Sequence, residues 1–255
     1  MSELTAVVLA GSRPGGDPFA QSYGVDLKAL IPVGNVPMVR RPVEALLESG
    51  TASRIRVLAQ EPDRLRPVLP DDTRVSVEPS GKTIAATLEA FCVDPDTRWP
   101  MLVTTADHAL LTPEMIADFL GRAEGSDIAI GVVSRDNLMK RLPQAKRTWL
   151  RFRGGAYSGA NLFLLGSPRI RSTLELWRSS EQNRKKAWRM LLTLGLTGFL
   201  GAVLRLRTLQ QTLDRVGAKL GLSIRAVEMA DPLAAVDVDK PADHELVTAI
   251  LEGRA

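Results

Sequence analysis

Residues 4–16 read LTAVVLAGSRPGG, and this stretch decides the fold. The apolar run 4–9 lacks the alternation of a half-exposed strand, so it predicts a first strand that is buried on both faces. A glycine-rich loop with Arg13 follows from Gly11 onward. Backbone N–H groups in such a loop can approach phosphate groups closely. The stretch therefore predicts a phosphate-binding loop at the carboxyl end of the first strand.

Two common phosphate-binding motifs are incomplete in this chain. A dinucleotide fold has G-x-G-x-x-G opening directly into a helix, but Gly11, Gly15 and Gly16 do not have that spacing. Residues 80–83 read SGKT and suggest a P-loop. This motif needs a glycine at position 76, however, and that residue is Ser76. The remaining interpretation of residues 80–83 is a helix N-terminus with a lysine, whose backbone donors can contact a ligand.

Strand and helix patterns alternate along the rest of the chain. Strands are predicted at 55–59, 75–77, 101–105, 127–134, 159–165 and 224–228, and helices at 38–49, 84–92, 113 onward, 168–177, most of 185–220 and the last dozen residues. Short connections between them predict an α/β fold: a Rossmann-like, mostly parallel sheet covered by helices. We expect one domain over 1–255, with a helical insertion at about 178–221 and a smaller addition at 135–158.

Composition narrows the functional classes. The chain has 255 residues, 45% of them hydrophobic, which excludes disorder as the main state. A single cysteine, Cys92, excludes an internal disulfide framework, and with two histidines a structural zinc site is not expected. The first ten residues lack the pattern of a signal peptide, so we expect a cytoplasmic protein. Aromatic residues make up only 5% and no reader motif is present, so nucleic acid is not an expected partner.

Carboxylates lie where a metal ion would be useful. Asp107 directly follows the predicted strand 101–105, at the sheet edge where ligands of α/β proteins bind, and oxygen ligands suit Mg²⁺. Asp237 and Asp239 alternate along an extended stretch and would face the same side. Because Asp239 precedes Lys240-Pro241, we expect it to cap the last helix, which leaves Asp237 as the second metal ligand. His108 is expected to be a hydrogen-bonding neighbour.

Taken in order, these segments resemble a known family. LAGSRPG at 9–15 and the isolated Lys28 in DLKALIPVGNVPMVRRPVEAL resemble the signature L-A-G-G-x-G-x-R…K of nucleotidyltransferases. TTADHALLTPEMI at 104–116 resembles their metal-binding strand end, and AAVDVDKPADHELV at 234–247 resembles their closing segment. The resemblance is to the nucleotide-diphospho-sugar transferase fold, in particular to molybdenum-cofactor guanylyltransferase-like NTP transferases. Departures from the family pattern are Ser12 in place of the second glycine and Lys240-Pro241-Ala242 in the closing segment.

The resemblance implies a role for each matched position. A loop over the triphosphate would comprise Leu9, Ala10, Gly11 and Ser12, with Arg13 on the leaving pyrophosphate. Lys28 would stabilise charge at the α-phosphate, and Asp107 and Asp237 would hold Mg²⁺. Ser80, Gly81 and Lys82 would lie by the base, and Asn161 in GANLFLL would lie by the acceptor.

The implied reaction is transfer of NMP from an NTP to a phosphorylated sugar or alcohol, with release of pyrophosphate. GTP and CTP are the favoured donors, and a lipid head-group precursor is included among the acceptors. The alternative is a glycosyltransferase of the related fold that uses a nucleotide sugar. Those enzymes often carry their D-x-D in mid-chain, whereas here it lies at 237–239.

A basic segment with an apolar centre remains unexplained by the resemblance. Residues 190–204 read MLLTLGLTGFLGAVL and carry no charge, while Lys and Arg flank them between 184 and 207. Spanning a bilayer takes ~20 apolar residues, so fifteen are too few. Contact with the inner face of a membrane through 184–207, a buried helical hairpin and a homo-oligomer contact all remain open.

Overall fold

The computed structural model describes residues 4–11, 17–181 and 207–254. In this part of the chain an eight-stranded sheet is flanked by helices on both faces. The strands in chain order are β1 (Leu4–Leu9), β2 (Pro32–Val33), β3 (Val36–Pro37), β4 (Ala52–Ala59), β5 (Val75–Pro79), β6 (Met101–Thr105), β7 (Ile128–Ser134), β8 (Leu150–Phe152), β9 (Gly155–Leu165) and β10 (Ile224–Glu228). β2 and β3 form a separate two-stranded sheet. The predicted α/β class is confirmed.

The main sheet is mostly parallel. Its order is β10-β7-β9-β6-β1-β4-β5, and β8 pairs with β9 outside this path. β1 runs parallel to both β4 and β6, and β4 runs parallel to β5. β9 is antiparallel to its neighbours β6 and β7. The carboxyl ends of β1, β4, β5 and β6 therefore meet at one edge of the sheet.

Helices cover both faces. The α-helices are α1 (Pro18–Ser22), α2 (Arg40–Ser49), α3 (Pro62–Leu65), α4 (Ile84–Phe91), α5 (Pro113–Ala123), α6 (Arg135–Arg141), α7 (Arg171–Glu181), α8 (Leu209–Leu220) and α9 (Pro241–Leu251). One apolar layer includes Leu46 of α2 and Phe119 of α5. The other includes Leu88 of α4 and Leu174 of α7. The core thus lies in two layers, one on each side of the sheet.

β1 is buried on both faces, as its sequence predicts. Ala6 and Val8 belong to one apolar layer and Val7 to the other, and each of these three side chains is fully buried. A strand between two neighbours and two helical layers has no exposed face, so it carries a continuous apolar run. Thr5, which is also buried, is the one polar residue of the strand.

Local end signals placed the helices correctly. Gly50 follows α2 in the left-handed conformation with φ of 62°, and Thr112 accepts a hydrogen bond from the Met115 N–H at the start of α5. Strand starts were less well predicted, since β4 begins at 52 and β9 at 155 rather than at 55 and 159. Both early starts come from pairing with neighbouring strands that sequence periodicity does not report.

Most of the predicted insertion lies outside the described residues, and its boundaries remain a prediction. Its described C-terminal part, α8, packs against β10 and contributes Leu213, Val216 and Leu220 to the second apolar layer. The apolar segment 190–204 falls entirely within the part that is not described. Among the residues that are described, no helix is both long and apolar enough to cross a bilayer.

The sheet is bulged where β9 meets β7. Ile130 pairs with Phe163 and Val132 with Gly159, so three residues of β9, 160–162, oppose Gly131 alone. Asn161 lies in this bulge with φ of 47°, the only non-glycine residue with positive φ among those described. A left-handed conformation costs a non-glycine residue roughly 1 kcal/mol, and asparagine tolerates it best. The bulge turns Asn161 toward the edge where the parallel strands end.

The turn between α8 and β10 generates a prediction about stability. A Cβ on Gly217 would collide with the backbone carbonyl oxygen of Leu222, while a Cβ on Gly121 of α5 would meet nothing within 4 Å. We expect Gly217→Ala to lower the free energy of unfolding by about 1–3 kcal/mol through overpacking. The matched change Gly121→Ala should raise it by about 0.5–1 kcal/mol through helix propensity. Urea unfolding of both variants measures this, and equal shifts would contradict it.

Candidate active site

Four neighbouring strand ends supply the residues of one polar edge. Gly11 follows β1, Gln60 follows β4, Ser80 follows β5, and Asp107 follows β6. The Ala10 N–H donates to the Leu58 carbonyl, and the Ala106 N–H donates to the Leu9 carbonyl, which ties the loops to one another just past the strands. Ligands of open α/β sheets bind outside this edge. The edge is therefore the candidate site.

Lys28 is presented to this edge by a short 3-10 turn, Lys28–Leu30. Its neighbours Leu27, Ala29 and Ile31 are buried and anchor the turn in the core. The Met38 N–H donates to the Ile31 carbonyl and the Val39 N–H to the Ala29 carbonyl. Because its backbone is fixed on both sides, the Lys28 ammonium has a defined position.

The Lys28 ammonium bridges two carboxylates that are distant in sequence. Nζ lies 2.7 Å from Asp107 Oδ2 and 2.6 Å from Asp239 Oδ1, and the side chain of Lys28 is only 18% exposed. Burial opposes its charge, but Asp107 and Asp239 outweigh burial and raise the pKa of Lys28 above its usual value. Lys28 is thus a fixed cation at neutral pH.

Asp107 is oriented from several sides. Its Oδ1 accepts a hydrogen bond of 2.6 Å from Thr105 Oγ1, and its backbone carbonyl accepts one of 3.0 Å from the Val238 N–H. The neighbouring His108 is buried, with Nδ1 3.3 Å from Thr104 Oγ1, which agrees with its predicted hydrogen-bonding role. Burial lowers the pKa of His108 to about 4, so its ring is neutral at pH 7.

The prediction that Asp239 caps the last helix is wrong. Lys240 holds the N-cap position of α9, without a side-chain cap bond, because Pro241 is the first helical residue. Asp239 instead pairs with Lys28, and its own N–H donates to Asp243 Oδ2 over 3.2 Å. Leaving a partly buried ammonium without a carboxylate partner costs more free energy than leaving a helix N-terminus without a side-chain cap.

Asp237 lies beside this pair but has its own partners. An Arg147 guanidinium N–H donates to Asp237 Oδ1, and Asn161 Nδ2 donates to Asp237 Oδ2 over 3.2 Å. Burial raises the pKa of Asp237, while Arg147 lowers it and the nearby charges of Asp239 and Asp107 raise it further. The predicted alternation is confirmed, since Val236 and Val238 are buried on the opposite side.

The first of two adjoining clefts contains the bridging lysine. It has a volume of about 270 Å³ and is lined by Leu9, Ala10, Gly11, Asp17, Lys28, Ala29, Met38, Ala106, Asp107 and Asp239. Its polar lining comes from a lysine, three carboxylates and the end of β1. The cleft is therefore built for a charged ligand or ion rather than for an apolar one.

The second cleft lies on the β4–β5 side. It measures about 310 Å³ and is lined by Leu9, Gly11, Leu58, Gln60, Ser80, Gly81, Lys82, Thr83, Ile84, Thr87, Thr105 and Asp107. Leu9, Gly11 and Asp107 line both clefts, so the two adjoin. Together they extend from the β5–α4 loop to Lys28, and the pair is called here the nucleotide channel.

The loop at 80–83 is shaped by its contact with α4. The Gly81 N–H donates to Thr87 Oγ1 over 2.9 Å, and a Cβ on Gly81 would lie 3.0 Å from that oxygen. Thr83 caps α4 by accepting from the Ala86 N–H. Glycine is thus required for close packing, and the exposed Lys82 is left facing the second cleft.

The structure brings together most of the predicted site residues. Leu9, Ala10, Gly11, Lys28 and Asp107 line the first cleft, and Ser80, Gly81 and Lys82 line the second. Asp237 and Asn161 contact each other and line neither cleft. Ser12 and Arg13 lie outside the described residues, and their predicted roles remain predictions.

Sequence reasoning missed three residues of this site, Asp17, Gln60 and Arg147, and assigned a fourth, Asp239, to the helix start. Gln60 had a signal, because it follows a predicted strand as Asp107 does. Arg147 lies in a basic segment, 135–153, with seven Lys or Arg residues and one Asp, and its pairing with Asp237 spans 90 residues. No local pattern reports a contact over such a distance.

The carboxylates fit a divalent ion whose remaining coordination positions are filled by substrate. In the described part of the chain no group of three or more Asp, Glu, His or Cys side chains could enclose a metal. The carboxylates of Asp107 and Asp239 do lie close together, because both contact the Lys28 ammonium. Mg²⁺ is usually held by one or two carboxylates together with substrate phosphates and water. The donor set therefore fits Mg²⁺ bound with a nucleotide.

Comparisons with known proteins agree with this fold. Residues 6–194 match the family model of the MobA-like NTP transferase domain. The chain is similar to a hypothetical transferase structure from Thermus thermophilus, with 28% identity and a TM-score of 0.80 over 96% of this chain and 100% of that one. A comparison with curated proteins finds no match.

Two more distant structures share the fold. One is the 4-diphosphocytidyl-2C-methyl-D-erythritol synthase from Anaerococcus prevotii, with 9% identity and a TM-score of 0.63 over 98% of this chain and 99% of that one. The other is the homologue of Mycobacterium tuberculosis rv0371c from Mycobacterium sp. strain JC1, with 16% identity and a TM-score of 0.55 over 99% of this chain and 98% of that one. These structures are similar over the full sheet.

The strained bulge at Asn161 can be tested by two substitutions that both remove the contact with Asp237. Asn161→Gly relieves the positive φ, whereas Asn161→Ala keeps the strain and loses asparagine's tolerance for it. We expect the glycine variant to be more stable than the alanine variant by about 1 kcal/mol. Chemical unfolding of the two variants gives this difference, and an alanine variant at least as stable as the glycine variant would disprove the strain.

Proposed function

The chain belongs to the MobA-like NTP transferase domain family and is a nucleotidyltransferase, and from this premise we propose that it transfers an NMP group from an NTP to a phosphorylated sugar or alcohol with Mg²⁺. The observation that carries the proposal is Lys28, which is held between Asp107 and Asp239 where two clefts join. A fixed cation and two carboxylates beside a glycine-containing strand end suit a metal-bound triphosphate.

The nucleotide lies along the channel in this proposal. The base occupies the second cleft, near Ser80, Gly81 and Lys82. Ser80 Oγ is buried there and has no hydrogen-bond partner in the described part of the chain, which makes it available to a base edge. The triphosphate follows the end of β1 toward Lys28, with Arg13 on the leaving pyrophosphate. GTP and CTP remain the favoured donors.

Asp107 and a carboxylate of the closing segment would hold Mg²⁺. Asp237 was predicted from the sequence for this role, and the shared contact with Lys28 adds Asp239 as a candidate. Bound Mg²⁺ would neutralise phosphate charge during the transfer. The protein's own contribution is to place Lys28 and the carboxylates before the substrate arrives, so that little reorganisation is needed in the reaction.

The reaction needs no general base. A phosphate oxygen of the acceptor, already ionised at neutral pH, attacks the α-phosphorus in line. The bond from the α-phosphorus to the bridging oxygen breaks, and that oxygen leaves with the bonding electrons on pyrophosphate. Such transfers depend on positioning and on compensation of negative charge. Lys28 supplies this compensation. Asn161 lies on the side of the site where the acceptor binds in this proposal.

The experiment that tests the proposal measures pyrophosphate release with Mg²⁺ for four NTPs crossed with phosphorylated sugars, polyols and head-group alcohols. We expect release that requires one NTP and one acceptor and that disappears in Asp107→Ala. Transfer from a nucleotide sugar under the same conditions would instead support the glycosyltransferase alternative.

With an active pair in hand, Lys28→Ala should lower turnover by at least ~10²-fold, as expected for the loss of one charge-stabilising donor. Lys82→Ala is the matched control, since this exposed lysine lines only the second cleft. It should raise the KM for the NTP with a smaller effect on turnover. Unchanged turnover in Lys28→Ala would remove the lysine from the mechanism.

The second metal ligand can be identified by comparing Asp237→Asn with Asp239→Asn. A ligand's replacement should raise the Mg²⁺ concentration needed for half-maximal rate, whereas loss of a positioning group should lower turnover at every Mg²⁺ concentration. Because Asp237 is held by Arg147 and Asn161, we expect the Mg²⁺ requirement to rise mainly in Asp239→Asn. A rise confined to Asp237→Asn would assign the role to Asp237.

A further inference from the structure

A third cleft lies between the segment 142–147 and α9. It has a volume of about 430 Å³ and is lined by Leu142, Pro143, Gln144, Ala145, Lys146, Lys240, Ala242, Asp243 and Leu246. We propose that this groove, called here the acceptor groove, binds the acceptor, and that the acceptor is a small phosphate monoester carrying an apolar group. The inference rests on the proposed function and names its second substrate class.

Chain continuity places the acceptor groove beside the first cleft and beside Asp237. Asp239 lines the first cleft, and the next residue, Lys240, lines the acceptor groove. Lys146 lines the groove, and the next residue, Arg147, pairs with Asp237. Consecutive Cα atoms are about 3.8 Å apart, so the backbone that lines the groove adjoins the residues that carry or hold the two carboxylates.

The charges of the acceptor groove suit an anion. Lys146 and Lys240 are both exposed, and neither forms an ion pair within the described residues. The one carboxylate of the groove, Asp243, accepts a hydrogen bond from the Asp239 N–H. Arg147 is neutralised by Asp237 and acts as a positioning residue for the segment that carries Lys146. The two lysines are therefore the cations available to an acceptor phosphate.

The remaining wall is apolar and limits the ligand class. Leu142, Pro143, Ala145, Ala242 and Leu246 contribute it, and Leu142 and Leu246 also pack toward the core. A groove of this volume is the size of a small-molecule site, and an apolar wall with a few polar groups at one end fixes such a ligand's orientation. A polyol phosphate would leave its hydroxyl groups facing this wall, so an apolar substituent fits better.

The test uses phenyl phosphate as probe, with inorganic phosphate and phenol as separate arms, titrated by NMR into the full chain. The α,β-methylene analogue of the bound NTP and Mg²⁺ are present at saturation, so that the nucleotide channel is occupied. The variants are Lys146→Ala with Lys240→Ala, and Ala242→Trp, which fills the groove from an exposed helix position. Arg215→Ala, an exposed cation on α8, is the matched control.

We expect phenyl phosphate to bind more tightly than either fragment. The double lysine variant should weaken it by at least about tenfold, the effect of losing a charge-assisted hydrogen bond. Ala242→Trp should weaken it similarly, whereas Arg215→Ala and all NTP-analogue affinities should stay unchanged. If the NTP analogue binds, and phenyl phosphate also binds but neither variant weakens it, the acceptor groove is overturned and the proposed function is not. Failure of the unaltered chain to bind any NTP would overturn the proposed function and the groove with it.

Discussion

The contact of Lys28 with Asp107 and Asp239 is the constraint on which the rest of the site depends. It joins residues that are 79 and 211 positions apart in sequence. A partly buried ammonium without carboxylate partners would be costly, so the turn at 28–30, the end of β6 and the closing segment must meet at one point. The hydrogen bond from the Val238 N–H to the Asp107 carbonyl fixes the backbone of this junction.

The features that sequence predicts well are those with local causes. β1 was identified because a strand buried on both faces has a continuous apolar run, and α5 because Thr112 and Pro113 are a helix start. Asp107 was identified because a polar residue directly after such a strand must lie at the ligand-binding edge. In each case the residues that determine the structure are neighbours in the chain.

The features that sequence failed to predict depend on distant partners. Asp237 and Asp239 follow the same alternation, and their distant partners show which is which: Arg147 and Asn161 for Asp237, and Lys28 for Asp239. The bulge at Asn161 likewise depends on how β9 pairs with β7, where a Cβ on Gly131 would lie only 3.1 Å from the Leu162 Cβ. The composition of the basic segment 135–153 does not indicate that Arg147 is the cation that pairs with Asp237.

In the proposed reaction, this division of partners allows two anionic substrates to meet in one site. A triphosphate and an acceptor phosphate repel each other, so each needs positive charge close to it. Lys28 and Lys82 lie on the nucleotide channel, while Lys146 and Lys240 lie on the acceptor groove. Lys240 directly follows Asp239, so the backbone of the closing segment joins the two sides, and in the proposed reaction each substrate has its own pair of lysines.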